Sequence, residues 1–298
     1  AVNAALYRSV LPAENLLLVN TPTRFNSETT KNLARRLAEN LESPFVELPI
    51  DSFINETVSQ IDDLQIPSPS DMKTLHLTGF MKENIQARDR STRILATLSS
   101  AFGGIFTCNA NKTELTVGYG TLYGDLSGAL AATADLWKHQ IYALGRTLNR
   151  YFDKNMIPDE RFTVRPSAEL SENQDITKGL GDPLIYEYHD FLFRSFIEPW
   201  NRITPEEILT WYSKNCLEEK LGTPVSIKSI FKTHHDFITD LEKWWNLFAG
   251  FAVAKRIQAP PLLAVSRRPY GYDLRESQIA PYYTDTYIHL KNSLLSNG

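Results

Sequence analysis

Residues 15–50, NLLLVNTPTRFNSETTKNLARRLAENLESPFVELPI, hold the pattern that sets the fold. Asn15-Leu16-Leu17-Leu18-Val19 is a short apolar run of the kind that forms a buried strand. Ser27 stands as an N-cap ahead of a helix through Leu41, with Leu33, Leu37 and Leu41 on one face. Residues 45–50 form a second strand. A strand, a helix and a strand in that order make a crossover unit, whose two strands lie parallel in one sheet.

The alternation continues outward. Residues 1–10 read as a helix with Ala5, Leu6 and Val10 apolar, ended by Pro12. Downstream come a helix over 51–64, a loop rich in Pro and Ser at 67–70, and a long helix over 81–102. Gly103-Gly104 stops that helix, and residues 105–108 form a third strand. Trp137, Ile141, Leu144 and Leu148 step by four, three and four, so another helix starts near Asp135. The pattern predicts an α/β fold, an open and mostly parallel sheet with helices on both faces, over residues 1–150. Such a sheet begins strand, loop, helix, whereas this chain opens in a helix, so a strand and loop are expected ahead of Ala1. Residues 151–298 read as a helical extension, with helices over 183–198, 204–221 and 229–255. The extension carries Trp200, Trp211, Trp244 and Trp245, whose expected work is packing and subunit contact.

Composition excludes several classes. The chain has 298 residues, is 42% apolar and 22% charged, and carries a net charge of −4, so no bulk charge favours nucleic acid or an anionic membrane. Its two cysteines, Cys108 and Cys216, are too few for a disulfide framework and fit a reducing compartment, here the cytoplasm. No run approaches the roughly 20 apolar residues of a membrane span, and no signal-peptide pattern opens the chain. His234-His235 point about 100° apart on a helix, and there is no His-x-Glu or Cys-x-x-Cys, which argues against zinc. Cys108 reads as a buried strand residue rather than a nucleophile.

The chemistry concentrates in residues 109–146, NANKTELTVGYGTLYGDLSGALAATADLWKHQIYALGR, where polar groups crowd between short apolar runs. Asn109 follows the third strand directly, and ligands of open parallel sheets bind beyond the carboxyl ends of strands; a turn-forming Asn is the plainer reading. Glu114 and Asp125 are carboxylates that suit magnesium, which takes one or two of them plus substrate phosphates. By spacing alone, eleven apart, they make a poor metal site, since most acidic residues merely solvate a surface. Tyr119 and Tyr123 offer rings for stacking, or core filling. Asp135 suits an N-cap. Lys138, in a first helical turn, opposes the helix dipole, and that cost points to a bound anion or a carboxylate partner. Asn84 and Arg88, four apart, share a helix face with Arg90 nearby; a solvated basic face is the default reading, a phosphate-binding face the alternative.

The run Asn111-Lys112-Thr113-Glu114, with Tyr123-Gly124-Asp125 and Asp135-Leu136-Trp137-Lys138, resembles the synthetase domain of NAD synthetases. So do Pro166-Ser167-Ala168-Glu169-Leu170 and Lys255-Arg256 before Ala259-Pro260-Pro261. NKTE and the tail GYDLRES at 271–277 look most like the long, glutamine-dependent type. The resemblance implies an ATP-pyrophosphatase sheet of the adenine-nucleotide hydrolase kind and ATP-dependent amidation of deamido-NAD to NAD through an adenylate, with AMP and pyrophosphate released. It assigns Asn109, Lys138 and Ser167 to ATP, and Asn84, Arg88, Glu114, Tyr123, Asp125, Lys255 and Arg256 to deamido-NAD. Glu114 also falls to Mg²⁺, and Lys138 and Glu114 to catalysis. It further implies ammonia as nitrogen source, an upstream glutaminase domain in the long type, and a homodimer or larger oligomer. The family's Ser-Gly-Gly-x-Asp-Ser phosphate loop is not in the sequence, so weak ATP affinity and little or no activity are expected of these residues by themselves. Two rival readings remain: another ammonia-using, ATP-adenylating ligase related to GMP synthetase, and a non-catalytic nucleotide-binding protein.

Overall fold

A computed structural model describes residues 1–270 and 281–296. In chain order it runs α1 (Val2–Arg8), β1 (Leu18–Asn20), α2 (Glu28–Leu41), β2 (Phe45–Glu47), α3 (Asp51–Ile61), β3 (Gln65–Pro67), β4 (Met72–Thr74), α4 (Gly79–Arg88) and α5 (Ala96–Phe102). There follow α6 (Lys112–Val117), α7 (Lys138–Tyr151), α8 (Tyr186–Ile197), α9 (Pro205–Ser213), α10 (Leu217–Leu221), α11 (Ile227–Ile230), α12 (His234–Ala249), α13 (Ala252–Gln258) and α14 (Asp285–Ser296). The chain divides into two compact units, one of Ala1–Thr107, Thr121–Ala129 and Ile141–Pro183, the other of Cys108–Gly120, Leu130–Gln140 and Leu184–Gly298.

In the first unit the crossover forms as its sequence predicts. β1 and β2 pair parallel, with Leu18 opposite Phe45 and Asn20 opposite Glu47. Ser27 caps α2 by accepting from the Thr30 N–H, and Leu33, Leu37 and Leu41 are buried along one face. Leu37 and Leu41 pack with Ala5, Leu148, Met156 and Ile157 in a core that covers the α1 and α2 faces. Gly145 belongs to this packing because a Cβ there would lie 2.7 Å from the Phe162 ring. β1 starts three residues later than its apolar run, since Asn15 and Leu16 donate backwards to Pro12 and Ala13 in a 3₁₀ turn. Residues 67–70 are less of a plain loop than expected. Ser68 and Asp71 bond each other's backbone and close the antiparallel β3–β4 hairpin.

The long helix is continuous from α4 to α5, but residues Asp89–Leu95 between them are π-helical. Gly103 ends it in the left-handed conformation, φ +78, as the Gly-Gly pair requires. The third strand is not formed. With no strand beside it, residue 106 accepts from the Ala129 N–H at 2.9 Å and Cys108 donates to the Leu130 carbonyl at 2.9 Å. An apolar run becomes a strand only where a neighbouring ladder takes up its backbone groups. Cys108 is nonetheless buried, as a free thiol.

The second unit is helical. Aromatic rings build its core: His189 stacks on Phe193, Trp244 meets both edge-on, and Tyr212 stacks on Phe237 at 3.9 Å. The tryptophans divide: Trp244 and Trp245 are buried, whereas Trp200 is 89% exposed. Helix boundaries follow polar caps. Thr204 and Thr233 open α9 and α12 with capping boxes to Glu207 and Asp236; the predicted 204–221 helix breaks after Ser213, and the 229–255 helix breaks before Thr233 and again at Gly250.

α6 is only six residues long, and α8, α12 and α13 pack around it. It ends at Gly118, φ +65, where an added Cβ would lie 2.9 Å from the Ala252 Cα of α13 and 2.9 Å from Lys255 Cδ. Gly118→Ala is therefore expected to destabilise the protein by about 1–3 kcal/mol, through left-handed strain and crowding together. A lowered urea midpoint in equilibrium unfolding checks it; an unchanged midpoint would show that α13 can move aside freely. No described helix is long and apolar enough to cross a membrane.

Candidate functional site

α6 carries the NKTE run, and its short length is offset by polar contacts at the amino end. Asn111 accepts from the Glu114 N–H at 2.9 Å, and the Glu114 carboxylate accepts from the Asn111 N–H at 3.0 Å, a reciprocal capping box. The other carboxylate oxygen receives the Tyr186 hydroxyl at 3.4 Å and lies 3.6 Å from Lys138 Nζ. Lys138 also sits 4.7 Å from the Tyr186 ring centroid, a cation–π contact. The carboxylate partner that a lysine in a helical first turn calls for is thus Glu114. Both side chains are about one-fifth exposed, at 18% and 19%, so they form a water-accessible pair rather than a sealed one.

Beneath this pair lies a second, buried layer. Lys112 and Asp135 are both fully buried as side chains and pair at 2.9 Å. Lys112 also donates to Ser266 Oγ and the Arg268 carbonyl. The Asp135 carboxylate receives the backbone N–H groups of Val265 and Ser266 at 2.7 and 2.6 Å. Burial pushes the Asp135 carboxyl up, yet Lys112 and the Ser266 and Val265 donors outweigh it and leave the group below the usual carboxylate range. Asp135 is therefore not the N-cap its position suggests. The helix starts at Lys138, and the Gln140 side chain accepts from the Trp137 N–H instead.

A third carboxylate ties α6, α7 and α8 together. Asp190, fully buried on α8, accepts the Thr113 hydroxyl through one oxygen and the His139 N–H through the other, at 2.8 Å. His139 Nδ1 also reaches it at 2.8 Å, and the Lys138 N–H reaches Thr113 Oγ1 at 3.3 Å. Thr113 and His139 flank Glu114 and Lys138 in sequence, so Asp190 fixes the backbone that presents the exposed pair. Sequence reading missed Lys112, Thr113, Asp190 and Tyr186. A lysine and a threonine inside so compact a motif were the available signal; nothing at Asp190 marked it.

Of the other expected site residues in this unit, Asn109 is exposed. Lys255 Nζ donates to the Gly118 carbonyl at 2.7 Å. Arg256 is only 7% exposed, and its guanidinium donates to the Thr116 and Phe248 carbonyls at the carboxyl ends of α6 and α12. Those bonds tie Lys255 and Arg256 to the end of α6.

The first unit holds the remaining candidates. Asn84 accepts the Thr121 hydroxyl at 2.7 Å, Asp125 accepts the Thr121 N–H at 2.6 Å, and Arg88 donates to the Leu122 carbonyl at 3.2 Å. The 121–125 loop is thereby fastened to α4, with Tyr123 64% exposed at φ +61. Gly124 lets that loop approach, since a Cβ would lie 3.2 Å from the Ala87 carbonyl carbon. Burial lowers the Arg90 guanidinium, against the opposing charges of Asp125 and Asp89. Ser167 donates to the Gln174 carbonyl at 2.6 Å and accepts from the Glu169 N–H. The structure thus joins Asn84, Arg88, Tyr123 and Asp125 around one loop and Glu114 with Lys138 around one helix end. Residues 271–277 lie outside the described residues.

The family model of NAD synthase matches residues 1–229. The chain belongs to the NAD synthase family. Among curated relatives of this family, a glutamine-dependent NAD(+) synthetase of Synechocystis is 34% identical over 206 residues, covering 69% of this chain and 34% of that protein. An NH(3)-dependent NAD(+) synthetase of Helicobacter hepaticus is 31% identical over 222 residues, covering 74% of this chain and 75% of that protein. Among solved structures, a glutamine-dependent NAD(+) synthetase from Cytophaga hutchinsonii superposes with a TM-score of 0.64 at 18% identity, over 93% of this chain and 40% of that one. An NMN synthetase from Francisella tularensis gives 0.52 at 20% identity, over 76% and 82%. These likenesses show that this member of the NAD synthase family has the family's α/β fold. It spans about a third of the length of the glutamine-dependent relatives it matches.

Proposed function

We propose that the chain is the synthetase part of an NAD synthetase, and that the intact protein amidates deamido-NAD to NAD with ATP and ammonia. The observation that carries this reading is the Glu114–Lys138 pair: a carboxylate and an ammonium 3.6 Å apart, part-exposed and held from below by buried contacts. A carboxylate substrate is a poor electrophile until adenylation turns it into a mixed anhydride with AMP as leaving group. In the first step the nicotinate carboxylate oxygen attacks the α-phosphorus of ATP and pyrophosphate leaves. In the second, ammonia adds to the adenylated carboxyl carbon, AMP departs, and a proton is lost from nitrogen. Negative charge shifts among phosphate oxygens in the first step, so cationic groups held in place are what the reaction needs. Lys138 is suited to the ATP phosphates and Glu114 to the nicotinate end.

Magnesium fits this arrangement in company with phosphates. Among the described residues Glu114 belongs to no group of three metal-ligating side chains, but one carboxylate with substrate oxygens is the usual Mg²⁺ donor set. The ion would neutralise phosphate charge when bound. In the same reading Asn109 and Ser167 serve ATP, and Asn84, Arg88, Tyr123 and Asp125 serve deamido-NAD. Lys255 and Arg256, which also bond the end of α6, serve deamido-NAD with them. The protein works in the cytoplasm as a homo-oligomer, with ammonia free or delivered by a glutaminase domain.

The test is NAD formation by the intact protein from deamido-NAD, ATP, Mg²⁺ and ammonium. Turnover that stops on omission of any one of them is expected, and xanthosine monophosphate should not replace deamido-NAD. Binding of deamido-NAD without turnover would favour a non-catalytic nucleotide-binding protein.

A further inference from the structure

The helical unit contains a cleft of about 880 Å³ that shares no residue with the Glu114–Lys138 pair. That size is ordinary for a small-molecule site. Its charged lining is unbalanced. Asp135, on its floor, is already matched by Lys112 and by three donors from Val265 and Ser266. Glu198 receives the Trp137 indole N–H at 2.6 Å and lies 3.8 Å from Lys112. Lys112 is shared by both carboxylates, so together they leave one negative charge, against which stand Arg194, Lys220 and Arg267, none with an ion-pair partner among the described residues.

Arg194 is the telling one. It is half-buried on α8, its guanidinium donates to the Leu221 carbonyl at 3.0 Å, and it lies over the Phe191 ring. A part-desolvated guanidinium with unused N–H donors favours a planar anion that can accept two of them. The other wall is aromatic. Phe191 is already engaged, by the Arg194 guanidinium and by the stacked His139 ring 5.2 Å away. Trp211 is half-buried, and its indole ring pairs with no other described ring, so it offers a face to a flat ligand. Leu136 and Ile203 extend the apolar wall.

We propose that this cleft is a second ligand site, for an aromatic anion: a planar ring on Trp211 and a phosphate or carboxylate on Arg194 and Lys220. The proposal is independent of the reaction assigned above.

Isothermal titration of the intact protein with uridine 5′-monophosphate, benzoate, uridine and inorganic phosphate tests it, in wild type and in Lys220→Met, Arg194→Met and Trp211→Leu. Lys220 is exposed, so its variant folds even where the Arg194 change disturbs α8. Binding of uridine 5′-monophosphate or of benzoate is expected, about tenfold weaker in Lys220→Met and in Trp211→Leu. Preference between the two probes distinguishes a phosphate from a carboxylate ligand. Phosphate alone binding as tightly as the nucleotide would overturn the aromatic half of the proposal. Absence of binding by both aromatic probes, or affinities untouched by Lys220→Met and Trp211→Leu, would overturn the site.

Discussion

Glu114→Gln is expected to lower the rate of NAD formation by about 10²–10³-fold while leaving the protein folded. The choice of Gln separates two jobs of one side chain. A capping box accepts Gln as well as Glu at its fourth position, so the Asn111 N–H keeps its acceptor and α6 keeps its amino end. The negative charge facing Lys138 at 3.6 Å is lost, and with it the carboxylate proposed to face magnesium and the nicotinate end. A part-exposed pair 3.6 Å apart contributes on the order of 1 kcal/mol to stability, so thermal melting should move by only a few degrees. Initial rates with saturating deamido-NAD, ATP and ammonium read the effect. A Glu114→Gln enzyme within about threefold of wild type would remove Glu114 from the chemistry and leave it a capping residue. Glu114→Ala is the poorer experiment, because losing the reciprocal cap adds about 1 kcal/mol of destabilisation to any catalytic loss.

What was legible in the sequence follows from the range of the forces that wrote it. α2 was readable end to end because Ser27 as cap and the Leu33, Leu37, Leu41 spacing are local facts. The strand at 105–108 was misread because pairing is not local; the run is apolar, but no adjacent strand takes its backbone. The same distinction holds in the site. Lys138 announced a bound anion or a carboxylate partner through its awkward place in a first turn, and Glu114 lies 3.6 Å from it. Asp135 misled because Asp before a helix usually caps it, whereas here a lysine twenty-three residues earlier takes the carboxylate into the interior. Asp190 was silent. Its partners Thr113 and His139 are fifty or more residues away, and a lone Asp within an aromatic helix has no local signature.

Lys112→Met should cost about 3–5 kcal/mol of stability, the usual loss when one member of a buried ion pair is removed. Met approximates the shape of the lysine stem, so the effect is chiefly the uncompensated carboxylate. Asp135 would keep its bonds from Val265, Ser266 and the Ser266 hydroxyl, but no cation at 2.9 Å would oppose its burial. The pair can be told from simple packing by a second substitution. Lys112→Met/Asp135→Asn removes both charges, leaves an amide oxygen for the same N–H donors, and should recover part of the loss. Acid gives an independent check, and its sign follows from Asp135. In the wild type this carboxyl titrates below its unfolded value of about 3.9. Its contribution is therefore present above that pH and fades as pH falls through the lower, folded value. In Lys112→Met, burial is no longer outweighed by the ammonium, the carboxyl titrates higher, and protonation relieves the variant first. The stability gap between wild type and Lys112→Met, measured by urea unfolding, should thus be widest near neutrality and narrow towards pH 4. A gap that stays constant with pH, or a double variant no better than Lys112→Met, would mean that Lys112 holds α6 by packing and by its Ser266 and Arg268 bonds rather than by charge.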